Sequence, residues 1–169
     1  MPARILIAYA SRSGSTAEIA QAIGKELESI GMNISVSEIR EISSIRGYDA
    51  VVIGTPVYMG KPEKTSVQFA ACNQEQLQQL PVAVFAVGMA PVDTKVGSVE
   101  GVIRNLQASF AALQPVATTL FAGRLDPARM SLLDRTMTRL MRVQTGDFRD
   151  WAAIRAWAQS LPALLKITL

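Results

Sequence analysis

Ile5-Leu6-Ile7-Ala8-Tyr9-Ala10-Ser11-Arg12-Ser13-Gly14-Ser15-Thr16-Ala17-Glu18-Ile19-Ala20 is the stretch from which the rest of the chain can be read. A short apolar run gives way abruptly to small hydroxylated residues around Gly14. Apolar residues then recur at Ile19, Ala20, Ile23 and Leu27, which is helical spacing. The pattern predicts a buried strand, a tight turn and a helix N-terminus. The first turn of a helix leaves backbone N–H groups unpaired, and the helix dipole puts partial positive charge there. Ser11, Ser13, Ser15 and Thr16 crowd the same spot. An ordinary N-cap would account for one or two such hydroxyls. Four around a glycine point to an anion site, with phosphate the expected ligand.

The 169 residues, 49% of them hydrophobic, suffice for one domain over 1–169 with a sizeable core. No uninterrupted apolar window of about 18 residues occurs, so no spanning helix is expected. Met-Pro-Ala-Arg leads into the first strand without signal-peptide anatomy, and the expected location is cytoplasmic. Cys72 is the single cysteine and histidine is absent. That composition argues against an intramolecular disulfide, a thiolate metal cluster, Ser-His-Asp chemistry and most zinc sites. Redox chemistry would therefore be carried by a bound cofactor. A net charge of +3 favours an anionic partner. Aromatic residues are only 6% of the chain and none interleave with a basic run, so nucleic acid is not expected.

Strand and helix signals alternate along the chain, as in a doubly wound α/β domain. After the first strand come an alternating run at 33–37 and continuous apolar runs at 49–54, 81–87 and 115–122. Continuous runs suit parallel strands covered on both faces. Helical patterns lie near 63–79, 97–113 and 149–164, the last with Trp151, Ile154, Trp157 and Leu161 on one face. Five strands with crossover helices predict a parallel sheet of order 2-1-3-4-5, whose ligands bind beyond the strands' C-terminal ends. Three loops then matter: 11–16, 55–61 and 88–97.

Neighbouring families make demands that this chain does not meet. G-x-x-x-x-G-K-[ST] is absent, G-x-G-x-x-G does not follow the first strand, and the third strand ends in Gly54-Thr55-Pro56-Val57-Tyr58 rather than in an aspartate. Ser11-x-Ser13-Gly14-Ser15-Thr16 instead resembles the [ST]-x-[ST]-G-x-[ST] phosphate loop of the flavodoxin family. Gly54-Thr-Pro-Val-Tyr-Met-Gly-Lys61 is similar to that family's second loop, and Gly88-Met-Ala-Pro-Val-Asp93 stands where its third should be. The resemblance implies a flavodoxin-like three-layer α/β/α sandwich with FMN as cofactor. It implies that Ser11, Arg12, Ser13, Gly14, Ser15 and Thr16 cradle the phosphate without needing a basic side chain. Thr55, Pro56, Val57, Tyr58, Met59 and Gly60 would hold the isoalloxazine ring, with Tyr58 stacking on it and Gly60 facing flavin N5. Gly88, Met89 and Ala90 would complete the ring site, where flavodoxins usually offer acidic and aromatic residues.

Between the fifth strand and the last helix lies a basic segment at 126–147, absent from acidic, electron-carrying flavodoxins. Met130, Leu133, Met137, Leu140 and Met141 are expected on one side of an amphipathic helix over 126–143, and Arg135, Arg139 and Arg142 largely on the other. Such a helix could lie on an anionic bilayer or dock a partner. The segment and the following Gly146-Asp147-Phe148-Arg149-Asp150-Trp151 resemble the quinone-linked protoporphyrinogen dehydrogenases of haem synthesis, a flavodoxin-like subgroup. That resemblance implies hydride transfer from a tetrapyrrole to FMN, with electrons passed to a quinone by a protein lying peripherally on the inner face of the membrane. Arg124, Arg129 and Arg135 would then pair with substrate propionates. Two alternatives stay open: an electron carrier docking on a redox partner, and a flavin-free scaffold that binds through 126–143.

Overall fold

The structure, a computed structural model, describes residues 2–168. In chain order it contains β1 (Arg4–Tyr9), α1 (Ser15–Ser29), β2 (Asn33–Glu38), β3 (Ala50–Tyr58), β4 (Lys61–Pro62), α2 (Lys64–Cys72), α3 (Gln74–Leu77), β5 (Val82–Gly88), α4 (Val99–Ser109), β6 (Ala117–Ala122), β7 (Arg124–Leu125), α5 (Leu132–Met141), β8 (Gly146–Asp147) and α6 (Trp151–Leu164). The long strands form a parallel sheet ordered β2-β1-β3-β5-β6. This is the expected 2-1-3-4-5 arrangement once the short β4 is set aside. The strands β4, β7 and β8 were not anticipated, because two-residue pairings leave no periodic signal.

Successive strand side chains point to opposite faces, so the sheet buries two separate layers. Leu6, Val51, Ile53 and Val84 pack with Phe69, Leu77, Val102 and Leu106 on the face covered by α2, α3 and α4. Ile5, Ile7, Val52 and Phe85 pack with Ile19, Ile23 and Leu27 of α1 and Ile154, Ala158 and Leu161 of α6. The result is a three-layer α/β/α sandwich. Trp157 meets Phe85 edge-on with ring centroids 6.0 Å apart, and Phe121 meets it tilted at 6.3 Å. Gly54 makes room for that cluster, since a Cβ there would run into the Phe85 ring.

Two expectations need correction. Residues 55–58 belong to β3, not to a loop. The strand continues past the end of β1, whose last partner is Gly54, and turns back through β4 in register Val57↔Pro62 and Tyr58↔Lys61. Met59 and Gly60 make the turn with φ of 51° and 77°, both left-handed, as a two-residue hairpin requires.

The second correction concerns 126–147. β7 and β8 pair antiparallel, Arg124↔Asp147 and Leu125↔Gly146, so the excursion leaves and returns at one point. Its helix covers only Leu132–Met141, after a 3-10 turn at Pro127–Arg129. Met130, Met137 and Met141 line a pocket against the body. Leu132, Leu133 and Leu140 are 78, 73 and 76% exposed, so Leu133 and Leu140 do not share the methionines' face. At about 100° per residue, Leu132, Leu133 and Leu140 span an arc of about 100° that misses Met141.

Candidate cofactor site

The hydroxyl-rich loop at 11–16 lies at the C-terminal end of β1 and opens α1. Gly14 is the N-cap of α1 at φ 92°, and no side chain caps this helix. The helices α2, α4, α5 and α6 are capped by Glu63, Ser98, Ser131 and Asp150. The first-turn N–H groups of α1 therefore have neither an intrahelical nor a side-chain partner. The Gly14 N–H donates to Ser11 Oγ at 3.1 Å, which closes the loop. Ser15 and Thr16 are buried, at 6 and 2% exposure, yet both line a cavity of about 430 Å³ with Ser11, Arg12 and Ser13. A glycine cradle, uncapped amides and hydroxyls at a helix dipole suit a phosphate.

Pro56, Val57, Tyr58, Gly88 and Met89 form another wall of the same cavity. Met59, Gly60 and Ala90 lie just beyond, in an adjoining apolar pocket of about 110 Å³ that is roofed by Met130, Met137 and Met141. The larger volume falls in the range of small-molecule sites, roughly 300–1,000 Å³, and the methionines give an adaptable apolar lining. Thr55 does not join them. It is fully buried, and its hydroxyl accepts from Glu63 N–H at 3.1 Å and from Ser66 Oγ at 2.8 Å. Thr55 thus anchors the start of α2. The Gly60 carbonyl accepts from Asn105 Nδ2 at 2.7 Å, which ties the hairpin turn to α4.

Tyr58 is half exposed, with the Arg12 guanidinium 4.8 Å from its ring centroid and its hydroxyl donating to Asp134. Burial first, and then the Asp134 carboxylate, push the phenol above its ordinary value. Tyr58 is thus neutral at physiological pH. In the third loop Asp93 caps the turn at Thr94–Val96 by accepting from Lys95 N–H at 3.0 Å. It also accepts from Gln144 N–H at 3.3 Å, tying the loop to the end of the excursion. The hydrogen bond from Lys95 N–H, and that from Gln144, hold the Asp93 carboxyl low despite its burial.

Of Arg124, Arg129 and Arg135, the expected propionate partners, two join an arginine cluster beside the hydroxyl loop. Arg124 and Arg129 line the large cavity, whereas Arg135 lies outside it and donates Nε–H to the Pro127 carbonyl. Arg124, Arg129 and Arg149 all reach the Glu18 carboxylate, the first two at 3.1 and 3.3 Å. Arg149 is almost buried and also pairs with Asp147 at 2.6 Å. Its hydrogen bond depresses Glu18 and, more strongly, brings Asp147 down to about 2. Arg40 also lines the cavity. It stands just past β2, and only folding brings it to the loop. Among the described residues no cluster of His, Cys, Asp or Glu could hold a metal ion.

The flavodoxin domain family matches residues 6–151. The protoporphyrinogen IX dehydrogenase [quinone] of Escherichia coli strain K12 is 23% identical over 174 residues, covering 95% of this chain and 96% of that protein. Among solved structures, a flavodoxin of Streptococcus pneumonia TIGR4 superposes with a TM-score of 0.59 at 19% identity, covering 95% of this chain and 99% of that one. The rubredoxin oxygen:oxidoreductase of Desulfovibrio gigas gives 0.60 at 13% identity over 98% of this chain, which spans 37% of that larger enzyme. The chain belongs to the flavodoxin domain family.

Proposed function

We propose that this protein is an FMN-dependent oxidoreductase of the protoporphyrinogen-dehydrogenase type that passes electrons to a quinone or a similar acceptor. The observation that carries this reading is the junction of two features in one place. The hydroxyl loop and the ring-binding strand end of a flavodoxin site open directly beneath the methionine face of the 126–147 excursion. FMN, when bound, supplies an electrophilic N5 able to take a hydride and release its electrons onward. The chain's own residues bind and orient. Ser11, Ser13, Ser15, Thr16 and the α1 amides hold the phosphate, and Tyr58, Met59, Gly60 and Met89 enclose the ring. Met130, Met137 and Met141 exclude water above it. Arg12, Arg40 and Arg124 supply cations to the rim for a carboxylate-bearing donor.

The likeness to a quinone-linked relative and the outer face of α5 both favour an acceptor met at a membrane. Leu132, Leu133 and Leu140 stand out beside Arg139 and Arg142, while the carboxylate of Asp126 is engaged within the excursion and that of Asp134 by Ser131, Tyr58 and Arg12. A protruding apolar ridge bordered by arginines complements an anionic lipid surface. No helix among the described residues is long and apolar enough to cross a membrane. Such contact would therefore be peripheral.

Anaerobic incubation of the FMN-loaded protein with protoporphyrinogen IX and a soluble quinone tests the activity. Porphyrin fluorescence rising with enzyme concentration is the expected result. Reduction of the flavin by a reductase, with no porphyrin formed, would favour the second reading: an electron carrier, as the flavodoxins of similar length would have it.

A further inference from the structure

Arg129 reaches the phosphate loop from the excursion, 111 residues away from its partner Glu18. Its Nη1 lies 3.6 Å from the point where a Cβ on Gly14 would stand, directly over the N-cap of α1. The 3-10 turn that presents it is closed by Asp126, whose carboxylate accepts from Ala128 N–H at 2.9 Å. Arg129 lines the same cavity as Ser11, Ser13 and Thr16. The guanidinium rests on Glu18 at 3.3 Å and on Asp126 at 3.7 Å, with the side chain half exposed. Glu18 does not depend on it. Arg124 and the nearly buried Arg149 already neutralise that carboxylate. Arg129 is thus the movable member of the cluster, held by weak exposed pairs above unpaired amides.

We propose that Arg129 reads the phosphomonoester of the bound flavin. On binding, the guanidinium exchanges Glu18 for two phosphate oxygens, a geometry that suits its planar fork. The site therefore selects FMN over riboflavin by a cation brought from 126–147, where the resemblance implied that hydroxyls and amides suffice alone. The inference rests on the FMN reading above.

The test is titration of the purified apoprotein with FMN and with riboflavin, followed by flavin fluorescence, for the parent, Arg129→Gln, Arg129→Lys and Arg139→Gln. Loss of one charge-assisted bidentate contact is expected to weaken FMN about tenfold in Arg129→Gln, with riboflavin unchanged. Arg129→Lys recovers part of that loss, and Arg139→Gln, on the outer face, alters neither affinity. An equal loss for both flavins would overturn the proposal, because Arg129 would then act only through the shape of the site. Unchanged FMN affinity in Arg129→Gln would overturn it as well. A parent protein that binds neither flavin would instead refute the FMN reading, and this is seen before any variant is made.

Discussion

Tyr58 donates its phenolic hydrogen to Asp134 at 3.1 Å, joining the end of β3 to a helix 76 residues later. Arg12 of the phosphate loop lies 3.7 Å from the same carboxylate and covers the Tyr58 ring. Three segments that line one cavity are thus locked together on the surface. Tyr58→Phe removes the hydrogen bond and keeps the ring. Because the pair is exposed, global stability is expected to fall by less than about 1 kcal/mol. Limited proteolysis within 126–147 is expected to speed up, since α5 loses one of its ties. An unchanged cleavage rate would mean that the β7–β8 pairing alone holds the excursion.

Gly54 is a packing glycine. Its Cα faces the Phe85 ring on the α1 and α6 side of the sheet. Gly54→Ala overpacks a region with no slack and is expected to cost about 1–3 kcal/mol in chemical denaturation. Pairing it with Phe85→Leu should recover much of that loss. Failure of the double variant to recover would place the strain elsewhere.

The Asp147–Arg149–Glu18 network sets a pH dependence. Asp147 sits at about 2 in the folded chain against an ordinary 3.8. A depressed carboxylate contributes stability that is present above its unfolded value and is lost as pH falls through the folded one. The melting temperature is therefore expected to drop between pH 3.8 and about 2 as Asp147 takes up a proton. Glu18, also depressed, acts in the same direction. In Asp147→Asn the curve over that window should be flatter, measured by thermal unfolding against pH. An identical slope would assign the acid loss to other carboxylates.

Replacing Leu132, Leu133 and Leu140 together by Ser should reduce sedimentation with vesicles containing anionic lipid and leave the melting temperature unchanged, since these side chains contact little of their own chain. Full removal of three leucines from a bilayer surface forfeits several kcal/mol, so the loss should exceed tenfold. A parent protein that does not sediment with such vesicles would contradict the membrane contact.

The sheet order and the turn from β1 into α1 were legible because both rest on local patterns: continuous apolar runs for β1, β3 and β5, and small hydroxylated residues beside a helix start at Ser11–Thr16. Pro56 and Tyr58 looked like loop residues because Pro and Gly punctuate that stretch. β3 could nevertheless continue, since β5 pairs with it as far as Pro56 and β4 takes over on the side that β1 leaves after Tyr9. Thr55 was misplaced because an alternating strand turns it away from its neighbours Pro56 and Tyr58, which only the register reveals. The α5 faces were misjudged because the helix is shorter than the apolar pattern, starting at Leu132 after a capped turn. The convergence of Arg40, Arg124, Arg129 and Arg149 on the phosphate loop is purely tertiary. No spacing in the sequence carries it.

Whether the chain holds FMN is read from the visible absorption spectrum of the protein as purified, with mass identification of any released chromophore. A flavin spectrum with FMN as the released molecule is expected, or stoichiometric uptake of added FMN that Ser13→Asp weakens by placing a carboxylate beside the phosphate. A colourless protein that takes up no FMN would contradict it.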